Sequence, residues 1–204
     1  VKTEDEKLIL REELGLGTKK IIALLPGSRL QEVNKMLPIM LTQARNFKDF
    51  EFVLAAAPSL DDSIFKSYLK DYPNFSVVKN RTYDLLQLSY AALVTSGTAT
   101  LETALFKVPE VVCYKGSFIS YQIAKRIISI KYISLVNLIM DREVVKELIQ
   151  GDLNNKLLRK ELGKLLEDKS KREEMMDNFN LLIKELGGGG ASEKTASLII
   201  EDLK

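Results

Sequence analysis

Along the first two thirds of the chain, short runs of continuous apolar residues alternate with longer segments whose apolar positions recur every three or four residues. The runs occupy 21–25 (Ile-Ile-Ala-Leu-Leu), 52–56, 75–78, 91–94 and 111–114. A run that is apolar throughout, without an in–out alternation, fits a strand covered on both faces, as in a parallel sheet. Between the runs, Leu30, Val33, Leu37, Leu41 and Ala44 share one helical face, with Pro38 predicting a kink or a fresh helix start near Leu37. Ile64, Tyr68 and Leu69 mark a second helix, Leu85, Leu86 and Leu88 a third, and Leu101, Ala104 and Leu105 a fourth whose apolar side is expected to be buried. Strand and helix in alternation predict right-handed βαβ units and a Rossmann-like, doubly wound α/β fold.

Beyond Tyr132 the pattern predicts helices only, at about 142–149, 154–167, 170–186 and 191–204. Met175, Met176, Phe179, Leu182 and Ile183 form a stripe that reads as core rather than as a binding groove. Four glycines at 187–190 cannot continue a helix and read as a hinge. The division expected is therefore a domain over 1–186, the hinge, and a terminal helix at 191–204 that docks elsewhere.

Composition narrows the chemistry. The 204 residues include no histidine, which removes imidazole bases, Ser-His-Asp systems and His-ligated metals. A net charge of +2 argues against a nucleic-acid binder. The single cysteine, Cys113, lies in an apolar run and reads as a small buried hydrophobe. No apolar stretch reaches the roughly 20 residues of a membrane span. Position 1 is Val, in keeping with a piece of a longer chain.

Chemistry is therefore sought at strand ends, where helix N-termini present free amides. After the first run comes Pro26-Gly27-Ser28-Arg29. Gly27 permits a tight turn, Ser28 can cap and Arg29 offers a forked donor for phosphate, although such a pair also serves as a plain turn. After the fourth run comes Thr95-Ser96-Gly97-Thr98-Ala99-Thr100-Leu101-Glu102, where hydroxyls and amides converge as a diphosphate requires. Glu102, nearly two turns into the helix, suits the hydroxyls of a ribose. Neither turn has P-loop or G-x-G-x-x-G spacing.

Two further stretches stand out. Lys115, Lys125, Arg126 and Lys131 interleave with Tyr114, Phe118, Tyr121 and Tyr132, and no acidic residue falls between Glu110 and Asp141. This reads as a surface for membrane or anionic lipid, or equally as an amphipathic helix with a solvated basic edge. Next, a loop at 134–141 and a short helix from about Arg142 to Gln150 are expected to bring Asn137, Arg142 and Glu143 together, while helix capping accounts for Asp141 and Glu143 as well.

Taken together, Leu24-Leu25-Pro26-Gly27-Ser28-Arg29 with Glu32-Val33, Ser96 to Glu102, and Tyr132-Ile133-Ser134-Leu135-Val136-Asn137-Leu138 with Arg142-Glu143-Val144-Val145 resemble the lipid-A-disaccharide synthase family, in its motif order. Gly-Ala-Ser-Glu at 190–193 extends the resemblance over nearly the whole chain, but only to the family's C-terminal half. The resemblance implies one domain of a GT-B glycosyltransferase, facing an N-terminal domain that carries the acidic catalytic residues. It implies transfer of 2,3-diacylglucosamine from UDP-2,3-diacylglucosamine to 2,3-diacylglucosamine 1-phosphate, with inversion and a β-1,6 linkage, at the inner face of the inner membrane. It further implies UDP held by Gly27, Ser28, Arg29, Ser96, Gly97, Thr98, Ala99, Glu102, Asn137 and Glu143, with Arg29, Asn137 and Arg142 supporting catalysis. No metal or other cofactor is expected. Lys115, Phe118, Tyr121, Lys125, Arg126 and Lys131 become candidates to face lipid, and the terminal helix a candidate to dock on the other domain or a second subunit. On this reading the chain alone binds UDP and catalyses nothing.

Other classes fit less well. A UDP-N-acetylglucosamine 2-epimerase-like enzyme relies on histidines that this chain lacks. A receiver-type signalling module needs acidic residues where Pro26-Gly27-Ser28-Arg29 and Lys79-Asn80-Arg81 stand. A non-catalytic nucleotide-binding domain stays open.

Overall fold

The computed structural model describes residues 3–116, 131–187 and 200. Six strands form one sheet: β1 (Lys20–Leu25), β2 (Phe50–Ala56), β3 (Phe75–Lys79), β4 (Ser89–Thr95), β5 (Glu110–Tyr114) and β6 (Lys146–Ile149). Every pairing is parallel, in the order β3-β2-β1-β4-β5-β6. Around it run α1 (Glu4–Glu13), α2 (Leu30–Leu41), α3 (Lys66–Asp71), α4 (Thr82–Leu88), α5 (Thr98–Leu105), α6 (Leu135–Met140), α7 (Asn155–Glu167) and α8 (Lys169–Glu185).

Both faces of the sheet are buried, which is why its central strands are apolar through their middles. In β1, Ile22 and Leu24 pack with Leu37 of α2, Leu162 of α7 and Phe179 of α8. Ile21, Ala23 and Leu25 face the other way, onto Leu10 of α1 and Leu85 and Leu86 of α4. Each such buried Leu, Ile or Phe side chain contributes about 1.5–3 kcal/mol through removal of apolar surface from water. Met175, Phe179 and Leu182 belong to this core. Cys113 is fully buried within β5, and burial pushes its thiol far above the ordinary range, so it packs rather than reacts.

Several elements differ from the sequence pattern. The helix expected at 142–149 is instead a bend followed by β6, which pairs with β5 from Val111↔Lys146 to Tyr114↔Ile149. As an edge strand it tolerates Lys146 and Glu147, and that polarity hides it. The expected loop at 134–141 holds α6, capped by the Ser134 hydroxyl, which accepts from the Asn137 amide at 3.3 Å. Pro38 lies inside α2 without breaking it, as Met36, Leu37, Met40 and Leu41 are all buried on the sheet. Leu105 is 44% exposed, against the expectation that it is buried. The pattern also missed α1, whose Thr3 and Glu6 form a reciprocal capping box.

Candidate functional site

In a sheet of this order, the chain leaves β1 toward β2 and leaves β4 toward β5, in opposite directions, opening a crevice beyond the carboxyl ends of β1 and β4. The structure has a cleft of about 350 Å³ there. Its walls are the two turns singled out from sequence: Leu25, Gly27, Ser28, Arg29 and Glu32 on one side, Thr95 to Ala99 and Glu102 on the other.

The β1 side is already satisfied internally. Ser28 and Arg29 amides donate to Glu32 Oε2 at 3.1 and 3.3 Å, so this turn spends two of its donors on its own carboxylate. Gly27 sits at φ +113°, and a Cβ there would collide with that carboxylate. Only glycine meets both demands. The Arg29 guanidinium lies 3.8 Å from Glu32 Oε1 while its side chain stays 84% exposed, leaving most of its donors open.

The β4 side is open. Gly97, at φ +151°, precedes α5, and no side chain of the described residues caps this helix. Its first amides, including those of Thr98 and Ala99, therefore keep free donors under the positive end of the helix dipole. The Ser96 hydroxyl donates to the Ile133 carbonyl at 2.8 Å, pinning the turn to the segment that leads into α6. Thr100 is buried and donates to the Gly97 carbonyl at 2.9 Å, so its hydroxyl stabilises the turn rather than facing the cleft. Half-buried Glu102 lines the cleft and accepts from the Tyr83 hydroxyl at 3.3 Å.

Asn137, Arg142 and Glu143 are not in this cleft. Asn137 is fully buried: Oδ1 accepts from the Val144 and Val145 amides at 2.7 and 2.9 Å, and Nδ2 donates to Val145 O and Glu147 Oε1 at 2.8 and 2.9 Å. Its capacity is saturated, so it fastens α6 to the start of β6 and has no donor or acceptor to offer a ligand. Arg142 and Glu143 precede that strand, at the amino end of a parallel sheet and thus opposite the cleft. Arg142 donates to Asn178 at 2.6 Å, and Glu143 pairs with Lys146 at 3.1 Å. Of the candidates for lipid, Lys115 is exposed, and Lys131 is exposed and pairs with Asp141 at 3.3 Å. Phe118, Tyr121, Lys125 and Arg126 lie outside the described residues, as do positions 188–190 of the hinge and all of the terminal helix except residue 200.

Sequence reasoning gave no role to Glu32 or Tyr83. The carboxylate three residues after Arg29 is a visible capping signal, obscured because arginine is not a usual cap. Tyr83 meets Glu102 only through the packing of α4 beside α5, which no local pattern reveals.

The strand order and the cleft between two glycine turns define a Rossmann-like, doubly wound α/β domain with a crevice at its switch point. Solved structures of that kind superpose well: the glycotransferase of kitacinnamycin, with a TM-score of 0.62, 18% identity and 92% of this chain against 44% of that one, and the Escherichia coli ADP-heptose lipopolysaccharide heptosyltransferase II, with a TM-score of 0.60, 14% identity, and 83% against 54%. A UDP-N-acetylglucosamine 2-epimerase from Listeria monocytogenes shares the fold at a TM-score of 0.54 and 17% identity, with 82% of this chain against 41% of that one.

Sequence comparison goes further: the chain belongs to the lipid-A-disaccharide synthetase family, whose model matches residues 1–200. It is similar to the lipid-A-disaccharide synthases of Geobacter sulfurreducens, 35% identical over 91% of this chain, and Syntrophus aciditrophicus, 38% identical over 90%. The chain spans about half the length of these relatives, 50% and 49% respectively. Among the described residues, no helix is long and apolar enough to cross a membrane.

Proposed function

We propose that this chain is the UDP-sugar-binding half of a lipid-A-disaccharide synthase, acting on UDP-2,3-diacylglucosamine as donor and 2,3-diacylglucosamine 1-phosphate as acceptor. The observation that carries the reading is the uncapped N-terminus of α5 at the cleft, with Glu102 on the same helix. The diphosphate would lie against Ser96, Gly97, Thr98 and Ala99, where amide donors and the helix dipole favour anions. The open guanidinium of Arg29, across the cleft, would offset charge that grows on the diphosphate as the glycosidic bond breaks. Glu102 would accept from the ribose hydroxyls. In this reading these groups assist departure of UDP without a metal, and deprotonating the acceptor hydroxyl is left to residues elsewhere. That task falls to a second domain, and the acylated substrates place the work at the inner face of the inner membrane.

Calorimetric titration of the folded chain tests the reading. UDP should bind, and Glu102→Ala should weaken UDP roughly tenfold, about 1.4 kcal/mol, while leaving inorganic pyrophosphate unchanged. No heat with millimolar UDP refutes the binding site, and equal losses for both ligands refute the ribose role.

A further inference from the structure

Glu102 does not stand alone at the rim. Helix α4 begins at Thr82, which lines the cleft, and the next residue, Tyr83, directs its hydroxyl to Glu102 Oε1 at 3.3 Å. The ring of Tyr83 packs at 5.3 Å from that of Phe106, with an interplanar angle of 34°. Phe106 follows α5, so the tyrosine is held from below by the end of the helix that carries Glu102. Yet Tyr83 is 54% exposed, and the only hydrogen bond its hydroxyl makes among the described residues is to this carboxylate. Merely filling the gap beside Phe106 would not require a hydroxyl.

We propose that Tyr83 is a positioning residue for nucleoside recognition: its hydroxyl occupies one oxygen of Glu102 and turns the other toward the ribose hydroxyls. This inference rests on the ribose role given to Glu102 above. A glutamate on an exposed helix face has three rotatable bonds, and fixing them before the ligand arrives reduces the ordering cost of binding. The interaction is self-consistent electrostatically, because the negative charge of Glu102 raises the phenol above its ordinary value and so keeps its proton available for donation. Tyr83 lies nineteen residues before Glu102, on the helix that carries the chain from β3 across to β4, while Glu102 lies on the helix that leaves β4.

The test is a titration of the whole chain and of Tyr83→Phe, which keeps the ring against Phe106 and removes only the hydroxyl, with UDP, uridine monophosphate and inorganic pyrophosphate. The variant should bind both uridine ligands roughly three- to tenfold more weakly, with pyrophosphate unchanged. In a Glu102→Ala background the same change should have no further effect, since there is no carboxylate left to orient. Uridine affinity that is unchanged or improved overturns the proposal, as does an equal loss for pyrophosphate or full additivity with Glu102→Ala. Failure of the unaltered chain to bind UDP removes the ribose reading and this one with it, whereas binding that ignores Tyr83→Phe removes this one alone.

Discussion

At the carboxyl ends of β1 and β4, Arg29, Thr98 and Glu102 face a cleft with hydrogen-bonding capacity to spare. At the amino ends of β5 and β6, Asn137 and Glu110 are fully buried. Asn137 there makes four side-chain bonds to the start of β6 and to Glu147. Among the described residues Glu110 makes none: both carboxylate oxygens lack a partner there, and burial holds its proton on well above the ordinary carboxyl value. One sheet thus puts polar residues to opposite uses at its two ends. Where the groups are open they suit a ligand, and where they are closed they bear on stability. A polar residue type in the sequence does not reveal which use applies.

The contrast can be broken by substitution. The largest effect is expected for Asn137→Ala, which strands the amides of Val144 and Val145 and removes a donor from Glu147; the loss should be about 3–5 kcal/mol in urea unfolding. A loss below about 1 kcal/mol would show that the amino end is not held in this way.

A smaller effect, of opposite sign, is expected for Glu110→Met, which replaces an unpartnered buried carboxyl with an apolar chain of similar length. The folded chain binds the Glu110 proton more tightly than the unfolded chain, whose carboxyl keeps the ordinary value of 4.5. Its contribution to stability is therefore fully present below that value and falls as pH rises through the window above it. The variant should gain roughly 1–3 kcal/mol at pH 8 and show less decline than the unaltered chain as pH increases from 5. Parallel stability–pH curves for the two would overturn this.

The smallest effect is expected for Arg142→Ala. Among the described residues its guanidinium reaches only Asn178, on an exposed surface opposite the cleft, so stability should move by less than about 0.5 kcal/mol and UDP affinity not at all. A measurable loss of UDP binding would mean that the two ends are coupled.

This contrast also explains what the sequence disclosed. Strands β1, β2, β4 and β5 were legible because their middles are continuously apolar, a direct consequence of double-sided burial, and the edge strand β3 because Phe75, Val77 and Val78 keep its run mostly apolar. The two turns of the cleft were legible because glycine and hydroxyl residues follow those strands immediately. β6 escaped because an edge strand carries Lys146 and Glu147, and α6 because Ser134 and Asn137 read as loop residues. Asn137, Arg142 and Glu143 are close neighbours in sequence, yet Asn137 turns inward while the other two stay outside. What separates them is the direction of β6 and the bonds from Glu147, and both are tertiary facts.

The bond from Ser96 to Ile133 has a consequence for the order of assembly. The Ile133 amide in turn donates to Glu147 at 3.0 Å, so the turn at Ser96 is moored through a single residue to the last strand of the sheet. Those links reach 37 and then 14 residues forward along the chain. During synthesis from the N-terminus, β1 and β4 emerge well before the residues that fix the turn between them and α5. The turn at Ser96 thus takes its final shape only once Glu147 has been made, and a nascent chain stopped short of that residue would carry β1 to β5 without this anchor.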